Sequence, residues 1–161
     1  MKTLLIVRHA KSDWGHAGLT DHDRPLNERG RRDAPRMGRR LADRGAVPQR
    51  IRSSTALRAR TTAAAIAEEL DVAEASVELD ATMYATSVDH LFEVIEELDD
   101  AADVVMLVGH NPEFSELVAR LTDEFVELPT CAVAEVRLPV EHWADASAAD
   151  GELVGVETPK H

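Results

Sequence analysis

Leu4-Leu5-Ile6-Val7-Arg8-His9-Ala10 is the stretch on which the reading of this chain turns. Four apolar residues in a row predict a strand buried on both faces, as in the interior of a parallel sheet. Arg8 and His9 follow at once. In open α/β sheets ligands bind beyond the carboxyl ends of the strands, so both side chains are expected at the mouth of a site. A phosphate suits them. Guanidinium grips its oxygens through paired charge-assisted hydrogen bonds, and a neutral imidazole can attack phosphorus or carry a proton. An Arg-His pair also ends many strands as a simple polar boundary, so the rest of the chain has to decide.

A second buried strand, Val104-Val105-Met106-Leu107-Val108, is as apolar as the first and runs into Gly109-His110-Asn111-Pro112. Gly109 permits a tight turn, Asn111 is a capping residue, and Pro112 suits a helix start. Phe114, Leu117, Val118 and Leu121 then form one helical stripe. A second histidine thus stands at the end of a second buried strand. Between the two, Asn27 caps a helix predicted from Glu28 to about Arg44, with Ala34, Met37 and Leu41 inward and Pro35 expected to kink it. Arg50 to Ser53 reads as a strand. The hydroxyls of Ser53-Ser54-Thr55 are expected to cap the next helix, whose stripe is Ala63, Ile66, Ala67 and Leu70. Arg58 lies near that helix's N-terminus, against the helix dipole, which suggests an anion held between the two.

Val77 to Leu79 is a short strand, and Ser87 caps a helix with Leu91, Val94, Ile95 and Leu98 inward. Ala132 to Leu138 alternates as a half-exposed strand near an edge, Gly151 to Val156 is a last strand, and Thr158 to His161 is expected to fray. The polar loop from Lys11 to Arg24 carries His16, Asp21, His22 and Asp23. Their spacing is not that of a metal site, so a surface loop is expected there, with no metal and no cofactor.

The whole is 161 residues, the size of one domain, expected to span 1–161. Strands alternating with helices predict a three-layer α/β sandwich with a mostly parallel central sheet. Eighteen Lys and Arg against 30 Asp and Glu give a net charge of −12, which argues against broad binding to nucleic acid or anionic membranes. No apolar run approaches the roughly 20 residues of a membrane helix. Met1-Lys2-Thr3 leads directly into the first strand, so no signal peptide is expected. The single cysteine, Cys131, excludes an intramolecular disulfide and fits the cytoplasm; as a small buried hydrophobe it is not expected to act as a nucleophile.

Four segments in order resemble the histidine phosphatase superfamily, the phosphoglycerate-mutase-like family: Arg8-His9-Ala10; Arg24-Pro25-Leu26 leading to Arg29-Gly30; Ser53-Ser54-Thr55-Ala56-Leu57-Arg58; and Val108-Gly109-His110-Asn111-Pro112. Short length, the alanine after His9 and the Gly-His-Asn-Pro segment look most like the SixA phosphohistidine phosphatase branch. The resemblance implies that His9 is the nucleophile that becomes phosphorylated. It also implies that Arg8, Arg58 and His110 hold the phosphoryl oxygens, His110 as a cation, with Ser12 and Arg24 as further substrate contacts. Two arginines and a cationic histidine would neutralise a phosphoryl group without a metal.

Members of the family acting on phosphate esters carry a glutamate soon after the third strand as general acid. Here the segment reads Asp80-Ala81-Thr82-Met83-Tyr84-Ala85-Thr86, with Ala85 at the matching position and Asp80, Asp21 or Asp23 as the available substitutes. An alkoxide needs a proton as it leaves, whereas a phosphorylated imidazole protonated on its other nitrogen departs neutral. The expectation is therefore a cytoplasmic phosphatase acting on phosphohistidine of a protein, such as a phosphotransfer domain. The alternatives are a phosphomonoesterase for a small metabolite or for phosphoserine/threonine, and a non-catalytic phosphate-binding module. Physiological substrate and oligomeric state have no signature in the sequence.

Overall fold

The structure is a computed structural model that describes residues 1–15 and 17–160; His16 and His161 lie outside the described residues. Six strands form one sheet: β1 (Lys2–Arg8), β2 (Arg50–Ser54), β3 (Val77–Asp80), β4 (Val104–Gly109), β5 (Val133–Leu138) and β6 (Glu152–Glu157). Their order across the sheet is β3-β2-β4-β1-β5-β6, and only β5 runs against its neighbours. The two most apolar strands, β1 and β4, therefore lie together at the centre, as strands buried on both faces must.

Four helices cover the two faces: α1 (Glu28–Asp43), α2 (Leu57–Glu69), α3 (Val88–Glu96) and α4 (Glu113–Thr122). Successive side chains of a strand point to opposite faces, and β1 divides accordingly. Leu5 and Val7 pack with Met37 and Leu41 of α1 and with Ile66 of α2. Leu4 and Ile6 pack with Leu91 and Ile95 of α3 and Leu117 of α4, a core that also encloses Trp143. These are the three layers expected from the alternation of strands and helices.

Local differences from the sequence reading have simple causes. Helix α1 is as expected: it starts from Asn27, whose side chain accepts from the Gly30 amide, and ends at Asp43 with Pro35 inside it. Residue Ala56 occupies the N-cap of α2 and no side chain caps it, so the expected hydroxyl cap is absent. The serines are turned to other partners. Beyond β6, the carbonyls of Thr158 and Pro159 accept hydrogen bonds from the Arg40 guanidinium, which pins a segment expected to fray. Strand β5 lies one place inside the edge, with β6 outermost.

Three contacts fix the end of β1. The Cys131 amide donates to the carbonyls of Arg8 and His9, at 3.0 Å each. Next, the Ala10 amide donates to Thr62 Oγ1 of α2 at 3.0 Å. Finally, Gly30 of α1 presses on the Lys11 backbone so closely that a Cβ there would lie 2.1 Å from the Lys11 carbonyl oxygen.

Candidate active site

The parallel register pairs Arg8 with Gly109, so the residues that follow, His9 and His110, emerge side by side. Their ring centroids are 5.2 Å apart. On the other flank of β4, Ser53 pairs with Val108, which brings Ser54 up to His110. The carboxyl ends of β1, β4 and β2 thus build one wall from residues more than 100 positions apart in the chain. A pocket of about 220 Å³ opens there, lined by Arg8, His9, Ser12, Arg24, Arg58 and His110, all six candidates from the sequence. Lys11, Trp14, Asn111 and Thr130 complete it. Four of these side chains are cations, and no carboxylate lines the pocket among the described residues. A larger apolar hollow of about 580 Å³ lies between α2 and β3, but no histidine or cysteine borders it.

His9 is buried, and its Nδ1 lies 2.7 Å from the Ala10 carbonyl oxygen. A carbonyl can only accept, so Nδ1 carries the proton and Nε2 keeps its lone pair. That nitrogen has no hydrogen-bond partner among the described residues. Burial, then the nearby charges of His110, Arg58 and Arg8, press the His9 pKa down to about 3, against the pull of the Ala10 carbonyl. At neutral pH the ring is uncharged, with the Nε2 lone pair free.

His110 is also buried, with Nε2 at 2.8 Å from Ser54 Oγ and Nδ1 enclosed without a partner among the described residues. Desolvation and the Arg58 charge lower its pKa to about 4, which the Asp21 charge partly opposes. The cationic His110 expected from the sequence is thus a neutral imidazole in the free protein.

Each arginine is held by fixed partners. Arg8 donates from Nη1 to the Leu128 carbonyl. Arg24 donates to Ser12 Oγ at 2.7 Å and to Asp21 Oδ1 at 3.1 Å, with its guanidinium stacked 3.4 Å from the centre of the Trp14 ring. Arg58 donates to the Asp21 carbonyl at 2.6 Å and to Asp21 Oδ2 at 3.0 Å, while its buried Nε has no partner among the described residues. In the free protein the anion beside Arg58 is the carboxylate of Asp21. Tyr84 donates to the same carboxylate at 2.6 Å, and its ring meets His110 edge-on at 5.6 Å.

None of the three substitutes for a general acid lines the pocket. The Tyr84 hydroxyl and the two arginines hold the Asp21 carboxyl well below the usual carboxylate range, so it is ionised. Asp23 is exposed and paired with His22, and Asp80 accepts from the Thr82 amide. Ala85 sits exposed with φ of 51°. Nor do the loop's acids and histidine converge: His22 contacts Thr55 and Asp23, Asp21 holds the arginines, and His16 lies outside the described residues. Among the described residues no group of three His, Cys, Asp or Glu side chains is arranged to hold a metal ion.

A histidine titration by NMR checks this electrostatic picture. His9 and His110 are expected to stay neutral at pH 5 and to protonate only near 3 and 4. The folded-state values are depressed, so below about pH 6.5 the unfolded chain binds more protons. Stability is then lost on acidification by about 1.4 kcal/mol per pH unit for each group, until the folded-state pKa is reached. Titration of both rings near 6.5 would contradict the buried, cation-flanked site.

Comparison with known proteins agrees with the residues. A profile of the Histidine phosphatase superfamily (branch 1) matches residues 4–88. The chain is 31% identical to an uncharacterized chloroplastic protein of Arabidopsis thaliana, over 98% of this chain and 78% of that one. It is 32% identical to an uncharacterized protein of Mycobacterium tuberculosis, over 96% of this chain and 100% of the other. Among solved structures it is similar to the protein assigned as phosphohistidine phosphatase SixA from Nakamurella multipartitia, at 28% identity and a TM-score of 0.84, covering 99% and 97% of the two chains. The protein assigned as SixA from Agrobacterium tumefaciens is 26% identical with a TM-score of 0.84, covering 98% of each chain. With a family match over more than half its length and SixA-type structures superposing along nearly all of it, this chain belongs to the histidine phosphatase superfamily and is by class a phosphatase.

Proposed function

We propose that the protein is a metal-independent phosphatase that forms a phosphohistidine on His9 and removes phosphate from phosphohistidine of a partner protein. The observation that carries this reading is a pocket with four cations, an uncharged histidine and no protonated carboxyl group among the described residues. The assignment of the similar structures as phosphohistidine phosphatases supports it.

In the first step the lone pair of His9 Nε2 forms a bond to phosphorus and the bond to the leaving nitrogen breaks. The electron pair stays on that nitrogen, and an imidazole already protonated on its other nitrogen leaves neutral. The Ala10 carbonyl accepts from Nδ1–H throughout and offsets the positive charge that develops on the phosphorylated ring. Arg8, Arg24 and Arg58 face the three phosphoryl oxygens. Water then attacks phosphorus, the P–Nε2 bond breaks, the pair returns to His9, and the surplus proton goes to solvent. No step calls for an acid in the pocket.

Leaving-group dependence tests the substrate class. In EDTA, a histidine-phosphorylated protein is expected to exceed a phosphoserine peptide in kcat/KM by about 10³-fold or more, because the missing acid is worth roughly 10²–10⁴. Aryl phosphates should slow steeply as the phenol becomes more basic. Equal rates on the phosphoserine peptide, or loss of activity in EDTA, would instead favour a phosphomonoesterase or a metal enzyme.

A further inference from the structure

Ser54 is the last residue of β2 and its side chain is fully buried in the wall behind His110. Its Oγ has two neighbours: the Ala56 amide donates to it at 3.2 Å, and His110 Nε2 lies 2.8 Å away. The neighbouring Ser53 hydroxyl is turned elsewhere and donates to the Ser54 carbonyl. A serine hydroxyl has one proton to give, and His110 Nε2 is the acceptor within reach of Ser54 among the described residues. Buried Nδ1 lacks a partner among the described residues in either tautomer, but the opposite arrangement, with Nε2–H donating to Ser54, would in addition strand the hydroxyl proton inside the wall. Buried donors without acceptors are costly and rare.

We propose that Ser54 is a positioning residue: its hydroxyl, held by the Ala56 amide, donates to His110 Nε2 and fixes the ring as the Nδ1–H tautomer. Nδ1–H is then the one N–H donor that His110 has left for a phosphoryl oxygen in the pocket it lines. This rests on the phosphatase reading above and deepens it. Giving up the Nδ1 proton would require an imidazolate, so His110 stabilises charge and supplies no proton to the leaving group. The serine thereby helps restrict the enzyme to leaving groups that depart without an acid, such as the imidazole of phosphohistidine. The ring nitrogen that faces the reaction is set by the bond made at the other one.

The test is long-range ¹H–¹⁵N NMR of the ¹⁵N-histidine-labelled full chain at pH 7, with His110→Gln assigning the signals. His110 is expected as the Nδ1–H tautomer in the wild type. In Ser54→Ala that tautomer should give way to Nε2–H or a mixture. The kcat on p-nitrophenyl phosphate should fall about 10- to 100-fold, with KM changed little, since the arginines still hold the ground state. Ser54→Thr should restore both readouts, and Ser53→Ala should leave the tautomer unchanged. An Nε2–H tautomer in the wild type, or wild-type kcat in a folded Ser54→Ala, overturns the proposal. Because the wild-type spectrum is read without turnover, it decides the tautomer even if Ser54→Ala does not fold or if His9 proves not to be phosphorylated.

Discussion

Replacing His9 with alanine is expected to lower turnover of an aryl phosphate by about 10⁴-fold or more while phosphate binding persists. The two effects separate because different atoms carry them. His9 supplies the free Nε2 lone pair, whereas Arg8, Arg24, Arg58 and Lys11 supply the positive charge that holds an anion. The variant should fold. His9 stands at the end of β1 rather than inside it, and the backbone there is kept by the Cys131 and Thr62 hydrogen bonds, which use no atom of the imidazole. Activity assays with p-nitrophenyl phosphate, alongside calorimetry with inorganic phosphate, check both halves. A His9→Ala protein that binds phosphate as the wild type does but turns nothing over is the expected result.

The second large effect is at Arg58, and its signature differs. Arg58→Ala should lower kcat/KM by about 10³-fold, the scale on which a guanidinium stabilises a transferring phosphoryl group, and should weaken inorganic phosphate binding as well. It also removes two hydrogen bonds from Asp21, each of the charged kind worth about 1.5–3 kcal/mol when lost. Asp21 is half exposed and recovers part of that from water. Arg58→Lys keeps the charge but lacks the planar fork that spans a carbonyl and a carboxylate at once, so it should recover only a small part of the rate. If Arg58→Ala kept wild-type phosphate affinity, the pocket assignment would be wrong.

How far the sequence discloses this site depends on how local each cause is. The pairing of His9 with His110 is legible because two uninterrupted apolar strands must lie together at the centre of a parallel sheet, and each ends in the same chemistry. Arg58 is legible as a cation set against a helix dipole. Its partner is not, because Asp21 comes from an aperiodic loop 37 residues earlier, where no spacing marks it. Tyr84 and Trp14 are hidden for the same reason: each reaches the site from a loop, and nothing in a polar segment says that Tyr84 meets Asp21 or that the exposed Trp14 ring stacks on Arg24. Ser54 shows a different failure. A hydroxyl at a strand-to-helix junction satisfies either a helix amide or a neighbouring strand, and the sequence favours the local partner. Here it caps no amide inside the helix; it accepts from Ala56, the N-cap residue, and reaches His110 across the sheet. The charge state of His110 is likewise invisible beforehand, since it follows from burial beside Arg58 rather than from its own neighbours in the chain.

The most direct test of the central claim is to quench the enzyme during turnover of a ³²P-labelled histidine-phosphorylated protein in EDTA and to locate the label. The account predicts an acid-labile, base-stable phosphate on the peptide containing His9, absent from His9→Ala and undiminished by the chelator. Turnover without label on the enzyme, or label on His110, would contradict it.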